Sequence, residues 1–212
     1  MADDEREPPT LYNPVTGERF TATATSRSTQ GAYAEGKGFL PVGTRPPGVH
    51  RHAHQDETVT VLSGRICARV GDDEREYAAG ETALLPRGEW HDFWVVGDGP
   101  AEAVIRATPA LGLELLVQTL AGLASEGKTD KRGRPRLLQG AVIGEFYQEV
   151  AQFKTPPPAV QRAMFPLLTA IARRRGYRPY YERHFEPGQI DEILDYWAAY
   201  REWDGQRRPP EK

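Results

Sequence analysis

Three histidines and a glutamate are the residues of this sequence best placed to do chemistry. The stretch His50-Arg51-His52-Ala53-His54-Gln55-Asp56-Glu57 sets two imidazoles two residues apart and a carboxylate shortly after, and His91 stands alone downstream. On a strand, residues two apart leave the same face, so His50 and His52 converge. Three neutral imidazoles and one carboxylate make a mixed nitrogen and oxygen donor set. Such a set suits Fe(II), Mn(II), Ni(II), Co(II) or Zn(II), and is too rich in nitrogen for Mg(II) or Ca(II). Ligation requires the three imidazoles neutral and Glu57 ionised, with an acceptor behind each ring to fix its tautomer. The plainer alternative is three ordinary polar residues near strand ends.

The residues around these four resemble the two-part motif of the cupin superfamily, in its single-domain, small-barrel form. The first part, H-x-H-x4-E-x6-G, is met by His50, His52, Glu57 and Gly64. The second, G-x5-P-x-G-x2-H-x3-N, is met by Gly80, Pro86, Gly88 and His91, with Val95 in place of the final Asn. The glycine expected six residues before the first histidine is Thr44, with Gly43 one place off. Neither departure removes a ligand. The resemblance covers residues 12 to 108, and Gly176-Tyr177-Arg178-Pro179 after the barrel is similar to a group of bacterial cupin-domain proteins. It implies a mainly β fold, a double-stranded β-helix (jelly-roll) barrel followed by an α-helical extension. It also implies a metal held by His50, His52, Glu57 and His91, and a homodimer formed through the sheets. His54 does not fit the motif's spacing as a ligand, so His54 and Gln55 are read as residues at the pocket edge or behind the ligands. Cupins include dioxygenases, isomerases, epimerases, decarboxylases and lyases, so the resemblance speaks for fold and metal far more than for a reaction.

Facing follows from the strand period. If Glu57 points into the barrel, so do Val59 and Val61. A two-residue hairpin at Ser63-Gly64 then places Ile66, Ala68 and Val70 on the same inner face, with Thr60, Cys67 and Arg69 outside. With His91 inward, Phe93 and Val95 join the wall. These residues either line a substrate pocket or fill a small barrel, and Tyr33, Phe39 and Trp90 are expected at its mouth. An apolar, partly aromatic wall suits a modest organic molecule better than a sugar phosphate. The expectation is an enzyme, an Fe(II) oxygenase of the dioxygenase type, in which Glu57 can leave the metal and act as a base. Zn(II), Ni(II), Mn(II) or Co(II) would suit the first alternative, a redox-neutral isomerase, cyclase or lyase of secondary metabolism. The second alternative is a non-catalytic small-molecule-binding cupin. Glu18, Tyr33 and Gln55 are further acid–base candidates by position.

Strands and helices must hold these side chains. The 212 residues suffice for one domain with an appendage or for two small ones. The expected division is a disordered N-terminus at 1–10, a barrel at 11–108, helices at 109–204 and a flexible tail at 205–212. Strands are expected at Phe20–Thr25, at Gly31–Leu40 with a bulge near Gly36 and Gly38, and at Thr58–Leu62, Arg65–Val70, Thr82–Leu85, Trp90–Val96 and Ala101–Arg106. After Pro109 the apolar period becomes helical over 111–125, Leu137–Phe153, Val160–Ile171 with a bend at Pro166, and Gln189–Trp203. The net charge of −3 implies no attraction to nucleic acid, and Arg132, Arg134, Arg136 and Arg173–Arg175 read as solvated faces or helix ends. One cysteine excludes an internal disulfide, no apolar run is long enough to span a membrane, and the charged first residues do not read as a secretory signal. The expected location is the cytoplasm.

Overall fold

The computed structural model describes residues 10–45 and 48–207. In chain order the strands are β1 (Thr10–Tyr12), β2 (Arg19–Ala24), β3 (Ala34–Leu40), β4 (His50–Arg51), β5 (Asp56–Ser63), β6 (Arg65–Val70), β7 (Asp73–Ala78), β8 (Thr82–Leu85), β9 (His91–Val95), β10 (Ala101–Thr108) and β11 (Gln152–Phe153). The helices are α1 (Leu113–Ser125), α2 (Leu137–Phe146), α3 (Pro158–Arg174) and α4 (Gln189–Arg207). The strands form two antiparallel sheets, ordered β1-β2-β3-β10-β5-β8 and β11-β4-β9-β6-β7. This is the mainly β barrel of the sequence reading, followed by helices. The disorder expected for residues 1–10 falls, apart from Thr10 in β1, outside the described residues. The expected tail is helical as far as Arg207, and 208–212 lie outside the described residues.

The two sheets bury their alternating apolar residues against each other. Val59 and Val61 of β5, Ile66 and Ala68 of β6, Phe93 and Val95 of β9, and Leu40, Ala83, Leu85, Ala101 and Ala103 make one core. Sequence alternation therefore assigned these faces correctly, although one step toward them was wrong. β5 and β6 do not pair: β5 lies between β10 and β8 in one sheet, and β6 lies between β9 and β7 in the other. Ser63-Gly64 is thus a corner at which the chain changes sheets, and both strands still aim alternate residues into the shared interior. Gly64 has φ +75°, and a Cβ there would collide with the Pro100 carbonyl and Ala101, so only glycine fits this corner. Cys67 is on the outer face as expected, yet it is buried, with Trp94 its neighbour on β9. Burial, helped by Glu74 and Glu76, pushes its thiol pKa up, which marks it as a structural residue.

Three further expectations need correction. The bulge lies on β2, where Thr23 is the extra residue between Ala22 and Ala24, and β3 runs regularly against β10. Gly38 serves close packing instead, because the Phe20 ring occupies the place of a side chain. Residues 73–78, where no strand was expected, form the edge strand β7, whose charged sequence and exposed face hide the strand period. The helix expected over Leu137–Phe153 ends at Phe146. Beyond it the chain turns through Tyr147–Ala151 and adds β11 to the free edge of β4.

The helices close over a second core that is richer in aromatic rings. Leu111, Leu115, Leu116 and Leu123 meet Ile143, Tyr147, Val150, Ile193 and Trp197, with Phe146 and Tyr180 packed at its edge. Among the described residues, no helix is long and apolar enough to cross a membrane.

Candidate metal centre

Sheet register brings the four candidate ligands together. His50 on β4 pairs directly with His91 on β9, and directly paired residues of an antiparallel ladder share a face. His52 follows β4 on the same side. Glu57 enters from the facing sheet, between Ala107 on β10 and Leu85 on β8. One donor atom from each of the four lies within 4.8 Å of the others, and their exposures are 3, 1, 6 and 0% for His50, His52, Glu57 and His91.

The outer face of the second sheet fixes this arrangement from behind. Asp92, fully buried, accepts hydrogen bonds from Arg45 at 2.6 Å and from Arg69 at 3.1 Å, and both guanidinium groups lie over the Trp94 ring. Arg45 belongs to the loop that delivers the chain to His50, so the cluster pins that loop beside His91. The two departures from the cupin motif meet here as well. The Thr44 carbonyl accepts the Val95 amide at 3.2 Å, and the Val95 side chain belongs to the core. The second motif half is tied to the first by the Gly88 amide, which donates to the His52 carbonyl at 2.7 Å, and by a bidentate Arg87–Asp56 pair in which Nε donates to Oδ1 and a terminal nitrogen to Oδ2.

Each imidazole has its Nδ1 against a backbone carbonyl: Gly48 at 2.9 Å for His50, Val150 at 2.6 Å for His52, and Glu89 at 3.0 Å for His91. A carbonyl only accepts, so each Nδ1 carries the proton and each Nε2 of a neutral ring presents a bare lone pair. Those Nε2 atoms converge on one carboxylate oxygen. Glu57 Oε2 lies 3.4 Å from His91, 3.5 Å from His52 and 3.9 Å from His50, and the His50 and His52 Nε2 atoms are 3.2 Å apart. Two bare lone pairs at that separation repel unless a proton or a cation lies between them. Donors on one transition-metal ion, each about 2.1 Å from it, stand roughly 3.0 to 3.4 Å apart at right or tetrahedral angles. Glu57 Oε2 and His91 Nε2 are buried with no hydrogen-bond partner, which is the condition of ligand atoms facing a cation. The residues present therefore fit a divalent metal ion.

The acid–base balance has the same origin. Burial, with the neighbouring His52 charge, depresses His50 to a pKa of about 3. Burial pushes His52 down too, but the neighbouring Glu57 carboxylate and the Val150 carbonyl outweigh it and raise its pKa. For Glu57 burial favours the neutral acid, yet the close approach of the His52, His91 and His50 rings holds it well below the usual carboxylate range.

The remaining residues expected at the site are placed as follows. Val59, Val61, Ile66, Ala68, Phe93 and Val95 are 0 to 5% exposed and pack on one another as the barrel core. Tyr33 and Phe39 do not line a mouth. Phe39 shares the outer face of β3 with Glu35 and Lys37 and lies under Arg19, and Tyr33 lies under Arg106. Trp90 is also on an outer face, beneath Arg51, where it lines a cavity of about 230 Å³ with Val49, Arg69 and Lys154. His54 turns toward Tyr200 of α4, with ring centroids 6.2 Å apart. Gln55 is fully buried and donates through Nε2 to the Pro109 and Ala110 carbonyls, both at 2.9 Å, fastening the barrel to the start of the extension. Glu18, buried and bonded to Thr16, is separate from the four-residue cluster, and burial raises its pKa.

Two contributors were missed from sequence, and both come from the extension: the Val150 carbonyl behind His52 and the Phe153 ring beside His50. A carbonyl carries no residue signature. The alternation that would have flagged β11 is two residues long.

Comparison with known proteins bears on the barrel. Residues 39–105 match the family model described as a cupin domain. No curated protein matches the chain significantly. Among solved structures the chain is similar to a sugar phosphate isomerase from a cupin superfamily of Silicibacter pomeroyi, at 23% identity over 47% of this chain and 65% of that one, with a TM-score of 0.40. It is similar to a predicted oxalate decarboxylase of Thermotoga maritima, at 18% identity over 51% of this chain and 96% of that one, with a TM-score of 0.43. It is also similar to the cupin domain of Schizosaccharomyces pombe Cnp3, at 18% identity over 46% of this chain and 67% of that one, with a TM-score of 0.40.

Proposed function

We propose that this chain, whose residues 39–105 match the cupin-domain family model, is a metal-dependent enzyme for a small, partly apolar organic molecule, working as an Fe(II) oxygenase. The observation that carries this reading is the convergence of three carbonyl-backed imidazoles on the buried, otherwise unpartnered Oε2 of Glu57. His50, His52, Glu57 and His91 would hold the ion. Bound Fe(II) supplies electrons for O2 chemistry and open coordination positions for substrate. The chain's own residues do the rest. Ala107 and Leu85 flank Glu57, and Val70 flanks His91, so the surroundings of the ligands are apolar and keep water away. Glu57 would serve as the base in this reading. His52, clamped through Val150, keeps its orientation.

The test is anaerobic loading with Fe(II), followed by O2 uptake measured against a panel of aromatic and enolic compounds. Substrate-dependent O2 consumption that disappears in His91→Ala supports the reading. Turnover of the same compounds without O2 would replace the oxygenase with a redox-neutral enzyme that uses its ion as a Lewis acid.

A further inference from the structure

The barrel supplies every candidate ligand, but one ring beside them comes from outside it. Across the inner face of the second sheet, Phe153 on β11 pairs with His50 on β4, His50 pairs with His91 on β9, and His91 pairs with Val70 on β6. These four side chains therefore form one row, with the two imidazoles in the middle and apolar groups at both ends. The Phe153 ring centroid is 6.1 Å from that of His50, with the planes inclined at 34°.

We propose that Phe153 is the specificity-determining wall of the metal site, the surface on which a flat apolar part of the substrate, an aromatic ring or a conjugated enol, comes to rest. The proposal builds on the metal-dependent reading above. Phe153 belongs to neither hydrophobic core and is half-buried, whereas His50 beside it is 3% exposed. Its ring thus forms the border between the buried ligands and solvent. It is also held rigidly. The Phe153 carbonyl accepts the Gln161 amide at 2.7 Å, the Lys154 amide donates to the Val49 carbonyl at 3.0 Å, and Gln152 accepts from Arg51 at 2.9 Å on the outer face. Three residues before Phe153, Val150 holds His52. A wall fixed on both sides selects by shape at little entropic cost. A ring offset from a bound ring is the geometry in which aromatic pairs attract.

The test uses the full chain loaded with Co(II), whose visible d–d bands report both occupancy and ligand binding, and it uses acetate and benzoate as probes. Both offer the same carboxylate, and they differ by a phenyl ring. The native protein is expected to prefer benzoate. Phe153→Ala is expected to lower the benzoate-to-acetate affinity ratio by about five- to tenfold, with acetate binding and cobalt occupancy unchanged. Phe153→Trp should retain the preference. An unchanged ratio in Phe153→Ala at full cobalt occupancy, or no preference for benzoate in the native protein, would overturn this inference and leave the metal site standing. No cobalt in the native protein would overturn the metal-dependent reading and the inference with it. If Phe153→Ala loses cobalt, Phe153→Leu decides: restored cobalt with a lost preference supports the wall, and cobalt lost again makes Phe153 a purely structural residue.

Discussion

The barrel and the helical extension are built on different principles, and the site draws on both. The barrel core is aliphatic, a set of alternate residues such as Val59, Val61, Ile66 and Leu85 offered by two facing sheets. The extension core is organised around rings. Trp197 stacks on Tyr147 at 6.1 Å and meets Phe146 edge-on at 5.6 Å. The barrel contributes side-chain chemistry, with four candidate ligand atoms gathered within 4.8 Å of one another. The extension contributes support, with one carbonyl behind His52 and one ring beside His50. A site can thus be spelled out by one half of a chain and still depend on the other half for its orientation and shape.

That contrast can be pressed hardest at the ligands. His91→Ala is expected to lower divalent-metal affinity by more than about a hundredfold while leaving the far-ultraviolet dichroism unchanged, since losing a ligand exceeds the 10- to 100-fold cost of losing its support. Retained affinity would show that the barrel does not hold the ion.

The next largest effect belongs to the extension. Trp197 is 1% exposed and central to the ring core, so Trp197→Ala should cost about 3–5 kcal/mol in denaturant unfolding. A loss below about 1 kcal/mol would mean that the helices do not depend on that core.

The joint between the halves comes third. Gln55→Leu deprives two carbonyls, those of Pro109 and Ala110, of their buried donor. A loss of about 1–3 kcal/mol is expected, read as a shift in the unfolding midpoint. No shift would show that the amide is not what joins them.

The smallest effect concerns pH. Burial raises the Glu18 carboxyl above its ordinary value of 4.5 in the folded protein. Its favourable contribution is therefore complete below the unfolded pKa and is lost as pH rises through the folded one. Glu18→Gln, which copies the protonated acid, should match the native protein in acid and gain on it as pH rises from about 4.5 toward 7. A difference that does not change with pH would remove Glu18 from the account.

The sequence was most readable where side chains had to repeat. The two-residue alternation of Glu57, Val59 and Val61, and of His91, Phe93 and Val95, gave both the faces and the core. The linked spacings of His50, His52, Glu57 and His91 pointed to one cluster. It was least readable where the backbone or tertiary context decided. Ser63-Gly64 has the composition of a hairpin turn, and only the close approach of Pro100 and Ala101 marks it as a corner between sheets. Residues 147–153 continue a helical apolar pattern, yet the free edge of β4 and the open Nδ1 of His52 draw them out of the helix. Tyr33, Phe39 and Trp90 are expected at the mouth, and each instead lies beneath an arginine.

The central claim is that four buried side chains hold one metal ion. Elemental analysis of protein purified without oxygen or chelator, alongside His91→Ala, tests it most directly. The account predicts one divalent transition-metal ion per chain in the native protein and almost none in the folded variant. No ion in the native protein, even after reconstitution with Fe(II), Co(II) and Zn(II), or an equal content in both proteins, would contradict it.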